Sequence, residues 1–237
     1  MPSLKDKTVL IIGRGSGIAG AIALAVNDEG GRVIAAGLHP DDLADAYRGT
    51  DIGVEQVDVT DEASIAALAG RIAGLDHVVC TASARARGDY QDLTASLVNT
   101  SFATKVTGPL LLAKHLAGKL GSDGSFLFMS GATALKPTQG MLAVGATNAA
   151  VDAITAGLAV ELAPIRVNAI APGTIDTGAY DALGEERKAA LFAARSAANP
   201  ARRIGTADDI AAAALAILTN GFLTGASIPV DGGEHLV

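Results

Sequence analysis

Two rhythms of apolar residues alternate along the chain. Short, nearly continuous apolar runs are followed by longer stretches in which apolar residues return every three or four positions. The first rhythm marks strands buried on both faces, the second marks amphipathic helices. Thr8 to Ile12 is the first run, and Ile18, Ile22 and Val26 then recur at helical spacing. Arg32 to Ala36, Val54 to Val59, Asp76 to Thr81, Ser125 to Met129 and the run opening at Ile165 predict further strands. Helices are predicted over Asp41 to Tyr47, from an N-cap at Thr60 through Ile65, Leu68 and Ile72, and over Thr94 to Leu120. Three more are predicted over Gly140 to Leu162, over Asp181 to Asn199 and from Thr206 onward. Strands alternating with helices predict an α/β fold: a doubly wound, mainly parallel sheet of about seven strands with helices on both faces.

Composition narrows the picture without redrawing it. No linker, repeat or low-complexity tract divides the 237 residues, so residues 1–237 read as one domain. The net charge of −7, 3% aromatic residues and no tryptophan argue against a nucleic-acid groove or a base-stacking platform. The polar opening MPSLKDK leaves no room for a signal peptide, and the apolar helical stretches read as too short or interrupted to span a bilayer. The expectation is a cytoplasmic protein with no membrane partner. Cys80 is the single cysteine, which excludes an internal disulfide and reads as a buried strand thiol. His39, His77, His115 and His235 are dispersed without metal-ligand spacing, so no metal site is expected, and no G-x-S-x-G elbow suggests a serine hydrolase.

The candidate chemistry lies first at Thr8 to Gly20, TVLIIGRGSGIAG. A buried strand runs into a glycine-rich turn and then a helix, the order that presents free N–H groups and a positive helix end to a diphosphate. Gly15, Gly17 and Gly20 match G-x-G-x-x-G, the Rossmann fingerprint, but two residues late. Gly13, Gly17 and Ala19 fit the strand end better, and this frame resembles the G-x-x-x-G-x-G turn of the short-chain dehydrogenase/reductase family. IRVNAIAPGTIDT, Ile165 to Thr177, resembles that family's I-R-V-N-x-I-x-P-G-x-x-x-T more closely still, and Val230-Asp231-Gly232-Gly233 resembles its final strand and turn.

The resemblance implies a single Rossmann domain binding a nicotinamide dinucleotide. Gly13, Arg14, Ser16, Gly17 and Ile18 would hold the phosphates, Asp58 and Val59 the adenine, and Thr81 and Ala82 the ribose region. Pro172, Gly173 and Ile175 would lie at the nicotinamide end, and Thr177 would bond a phosphate. No carboxylate follows the second strand, where NAD-specific folds place one, while Arg14 and His39 stand ready as donors; this favours NADP(H), with NAD(H) as the alternative. The outer faces of the long helices imply a homodimer or homotetramer, and residues 176–200 a segment covering the substrate.

The resemblance fails at the residues expected to move a proton. Ungapped alignment on Ala149-Ala150 sets Val144 where the family has tyrosine, Asn148 where it has lysine, Gly131 where it has serine and Lys105 where it has asparagine. Valine exchanges no proton, whereas Asn148 can still bond a ribose hydroxyl. Lys105, Ser130, Thr147 and Tyr180 are candidate substitutes. Two functions follow as alternatives. One is an oxidoreductase acting on a small, apolar carbonyl or alcohol by a non-standard proton route. The other is a noncatalytic NADP(H)-binding protein, a redox sensor or inactive subunit.

Overall fold

The computed structural model describes residues 3–237; Met1 and Pro2 of the polar opening lie outside them. Seven parallel strands form the main sheet: β1 (Thr8–Ile12), β2 (Arg32–Gly37), β3 (Gly53–Gln56), β4 (Leu75–Cys80), β5 (Leu120–Met129), β6 (Arg166–Pro172) and, last in the chain, β9 (Ser227–Val230). Their order is β3-β2-β1-β4-β5-β6-β9. The order reverses between β1 and β4, and that switch leaves a crevice at the carboxyl ends of the strands, where doubly wound folds bind ligands. A two-residue pair, β7 (Ile175–Asp176) with β8 (Gly205–Thr206), stands apart from it.

Alternation along the strands divides the core. Val9, Ile11, Val33, Val79, Leu127 and Ile170 face one way, against Ile22 and Val26 of α1 (Gly17–Asp28) and Ile210 and Ala214 of α8 (Ala207–Thr219). Leu10, Ile12, Val78, Cys80, Phe126 and Phe128 face the other, against Ile65 and Leu68 of α3 (Glu62–Arg71), Leu112 and Leu116 of α5 (Gly108–Leu116) and Val151 of α6 (Leu142–Glu161). Strands covered on both sides therefore carry no polar face, which is why they read as continuous apolar runs.

Several boundaries differ from the sequence expectation. α3 is capped by Asp61, whose carboxylate accepts from the Ala63 amide, because Thr60 turns back to Asp58 instead. β3 stops at Gln56, short of Val59. The helix expected over Thr94 to Leu120 is α4 (Ala95–Phe102), a π-helical turn over Ala103–Thr107 and α5, and Leu120 already belongs to β5. The segment Asp181 to Asn199 breaks at Gly184, φ +78°, before α7 (Glu185–Ala198) begins. Gly184 is where the chain needs a left-handed residue. α2 (Pro40–Ala46) follows β2 as expected.

α6 also corrects the membrane expectation: at 20 residues and mean hydropathy 1.4 it is long and apolar enough to cross a bilayer. Its inner face lies against β5 and β6 with Val151 in the core and with Thr147, Asn148 and Thr155 buried, which accounts for part of that apolarity, since 39% of the apolar window is buried. The I-R-V-N stretch has a structural use. Arg166 donates to the carbonyls of Ile217 and Leu218 at the end of α8, and Asn168 ties Leu223 and Ala226 beside β9.

Candidate functional site

The turn after β1 is shaped by contacts that leave no room for side chains. A β-carbon at Gly13 would lie 2.2 Å from Thr81 Oγ1 and 2.7 Å from Ala19 Cβ, and one at Gly15 would lie 2.4 Å from Ala46 Cβ. Gly17 has φ +59° and faces Thr177 at 3.2 Å. Both overlapping glycine frames are thus sterically required, one at the sheet and one at α2. The start of α1 has neither a side-chain cap bond at Ser16 nor an acidic residue in its first turn. Its N–H groups are left for an anion.

Around this turn the expected residues gather. Thr81 donates to the Ile12 carbonyl through its amide at 2.8 Å and its hydroxyl at 3.1 Å. It thereby braces the switch point by a side-chain bond that the sequence had not indicated. Asp58 spends Oδ1 on the amide and hydroxyl of Thr60, and Oδ2 has no partner among the described residues. Val59 is buried against Gly108. Arg14 and His39 are exposed and form no ion pair among the described residues, and His39 caps α2 by backbone position only. Gly173 packs against Asp231, where a β-carbon would lie 2.7 Å from its Cβ, and the next amide, Thr174, donates to Glu234 at 2.6 Å. Glu234 also accepts from Arg195 of α7 at 2.8 Å, so the turn after β6 and α7 share one carboxylate.

Among the four positions aligned with proton chemistry, three are in contact. Lys105 is 6% exposed on the π-helical turn, and its ammonium donates to the Ser130 carbonyl at 3.0 Å and to Asn148 Oδ1. Asn148, 3% exposed, passes its amide on to Thr133 Oγ1 at 2.7 Å. Gly131 lies over that amide. Val144, one helical turn before Asn148, is 5% exposed. Burial, and secondarily the Arg85 cation, pushes Lys105 down to about 7 from its usual 10.5.

The proposed hydroxyl substitutes fare unequally. Ser130 is buried and donates to the Asn148 carbonyl at 3.1 Å, and Thr147 donates to the Val144 carbonyl at 3.0 Å, so both are spent on backbone. Tyr180 packs edge-on against Phe192 of α7, ring centroids 5.5 Å apart. Thr133, partly exposed, is a residue that sequence reasoning missed; it follows Gly131 by two positions with no motif to mark it.

Cys80 is buried and its thiol is pushed up to about 11 by desolvation, as expected of an inert strand residue. No cluster of metal-ligating residues occurs among the described residues. A surface cavity of about 630 Å³ opens at the opposite end of the strands beside Thr8, Arg32, Gly53 and Asp76. We place the site at the carboxyl ends instead, because the glycine turn, an uncapped helix start and the buried polar chain converge there.

Comparison with known proteins identifies the family. A family model described as Enoyl-(Acyl carrier protein) reductase matches residues 12–235. The chain is 30% identical to the short-chain dehydrogenase/reductase ucsE of Acremonium sp, over 98% of this chain and 96% of the relative. A small-chain dehydrogenase solved in complex with NADPH is 32% identical, with TM-score 0.86 over 98% of this chain and 100% of that one. The reductase/Diels-Alderase MalC of Malbranchea aurantiaca is 28% identical in structure alignment, with TM-score 0.91 over 99% and 98% of the two chains.

Proposed function

The chain belongs to the short-chain dehydrogenase/reductase family, and on that premise we propose that it binds NADP(H) and moves hydride to or from a small, apolar carbonyl or alcohol. The observation that carries this reading is the glycine turn at the switch point, opening onto an uncapped helix with Thr177 against Gly17. Gly13, Ser16, Gly17 and Ile18 cradle the diphosphate there, and Thr177, packed on Gly17 through its Cβ, bonds a phosphate. Asp58, with one oxygen uncommitted, accepts from the adenine amino group, and Val59 lies at the ring. Thr81, Ala82 and Asn148 meet the ribose, and Pro172, Gly173 and Ile175 the nicotinamide.

The preference for NADP(H) over NAD(H) is supported by the absence of a carboxylate at the end of β2, by Arg14, which has no ion pair among the described residues, and by exposed His39. When bound, the nicotinamide supplies or accepts the hydride. The chain must then manage the proton without a phenol at Val144, which is why the proton route is non-standard. Lys105 holds a proton that burial makes easier to release, and the Thr133 hydroxyl, bonded by Asn148, is the nearest uncommitted donor in that chain of contacts. Residues 176–200 cover the substrate, and the protein works in the cytoplasm as a homodimer or homotetramer.

A second reading, a noncatalytic NADP(H)-binding protein, is favoured by the burial of Val144. One experiment separates the two. NADPH and NADH are titrated by fluorescence, and ketones, aldehydes and quinones are then added while cofactor absorbance is followed. Tighter binding of NADPH with turnover supports the oxidoreductase; binding without turnover supports the second reading; no binding of either nucleotide defeats both.

A further inference from the structure

We propose that Lys105 and Asn148 are one functional unit, in which the Lys105 ammonium fixes and polarises the Asn148 amide so that this amide serves the cofactor ribose from α6. The inference rests on the cofactor reading above. It starts from an exchange: relative to the family pattern, the lysine and the asparagine have traded places, and the traded side chains touch.

Donor rules settle the orientation of the amide. An ammonium has only hydrogens to give, so the Asn148 atom facing it is Oδ1, and Nδ2 points the other way. One Nδ2 hydrogen goes to Thr133 Oγ1 at 2.7 Å, and the second has no acceptor among the described residues. While Lys105 is protonated, its positive charge draws electrons through the carbonyl and makes both hydrogens better donors. A charge at Lys105 therefore reaches a ligand on the far side of Asn148 without touching it. The rest of the pocket enforces the arrangement. Ser130 Oγ holds the Asn148 carbonyl at 3.1 Å, the Ser130 carbonyl holds Lys105 at 3.0 Å, and Gly131 clears space for the amide. The π-helical turn is what sets Lys105 inward between α4 and α5.

A lysine that merely fastened two helices would be expected to pair with a carboxylate. Lys105 bonds none, although Asp152, one turn beyond Asn148, has a buried Oδ1 without a partner among the described residues. Burying an ammonium on two neutral acceptors is costly. A role for the charge in the site accounts for its retention.

The test is an exchange cycle read by NADPH affinity, with melting followed in parallel. Lys105→Asn and Asn148→Lys singly should each weaken NADPH binding by about tenfold or more, the first by removing the charge and the second by setting two lysines together. The double exchange should return affinity to within about threefold of the wild type. Singles that bind NADPH as the wild type does, or a double variant no better than the worse single, overturn the proposal. Should a single variant not fold, a crystal structure of the wild-type NADPH complex decides. Asn148 Nδ2 on a ribose oxygen with Oδ1 still on Lys105 supports the unit; any other ribose partner in its place overturns it. Wild-type protein that binds neither nucleotide instead defeats the cofactor reading itself.

Discussion

A β-carbon on Gly131 would lie 2.6 Å from the amide nitrogen of Asn148. The family's serine at this position and the present orientation of Asn148 are therefore mutually exclusive. Gly131→Ser or Gly131→Ala should push the amide off Thr133 and Lys105 and leave a buried ammonium short of an acceptor. We expect a loss of about 1–3 kcal/mol, read by calorimetry as a melting temperature lower by roughly 2–4 °C per kcal/mol. NADPH affinity should fall with it. An unchanged melting point would mean that the amide relocates freely.

Restoring the tyrosine is not a matter of two residues. Val144→Tyr with Asn148→Lys places the new lysine beside Lys105 in a pocket with no carboxylate bonded to either. Mutual repulsion should keep one of them neutral. Adding Lys105→Asn removes the conflict. The triple variant should reduce ketones about 10²- to 10⁴-fold faster than the wild type, measured by NADPH absorbance, and the double variant should gain much less. Equal rates in the two would count against the charge argument.

Lys105 also predicts how stability varies with pH. Its folded value of about 7 lies below the usual 10.5, through burial first and the Arg85 cation second, with Asp152 and Cys80 opposing. Between these two values the unfolded chain binds the extra proton, so this residue's contribution to stability rises with pH. The cost is fully present below about pH 7 and is gone above 10.5. The free-energy advantage of Lys105→Met over the wild type, whatever its offset, should shrink as urea unfolding is repeated from pH 6.5 to pH 10. A pH-independent difference would refute the assignment.

His77 should do the same on the acid side. Its ring is buried, bonded to Ser125 Oγ at 2.9 Å, and held down at about 4 by desolvation and then by the Arg166 cation. The folded form is thus neutral from about pH 4 to 6.5, where the unfolded chain is protonated. Stability falls as pH drops through that window. Titration of the His77 ring protons by NMR should give a midpoint near 4, and His77→Gln should flatten the acid limb of the stability curve. A midpoint near 6.5 would show that the ring is solvated.

The sheet was legible because a strand covered on both faces is built mostly from apolar residues, and Val9 to Ile12 contains no polar one. The glycine turn was legible for a related reason: Gly13 is hemmed by Thr81 and Ala19, and only glycine fits. Caps were harder. Thr60 and Asp61 are adjacent and equally suited to start α3, and the choice fell to Asp58, which engages Thr60 first. The π-helical turn left no trace in spacing, since one widened turn shifts the apolar rhythm by less than the rhythm's own scatter. Lys105 and Asn148 were each singled out as replaced positions, yet 43 residues separate them. No local pattern announces that two separate departures answer one another. Ser130 and Thr147 failed as donors for a reason that only coordinates supply, namely which backbone carbonyl each hydroxyl reaches.

Glu234 brings together parts of the chain that synthesis keeps far apart. One oxygen takes the Thr174 amide, and the other takes the Thr174 hydroxyl and Arg195. The turn after β6 and the start of the last turn of α7 are therefore tied through one carboxylate, so that loss of the Glu234 side chain would release both at once.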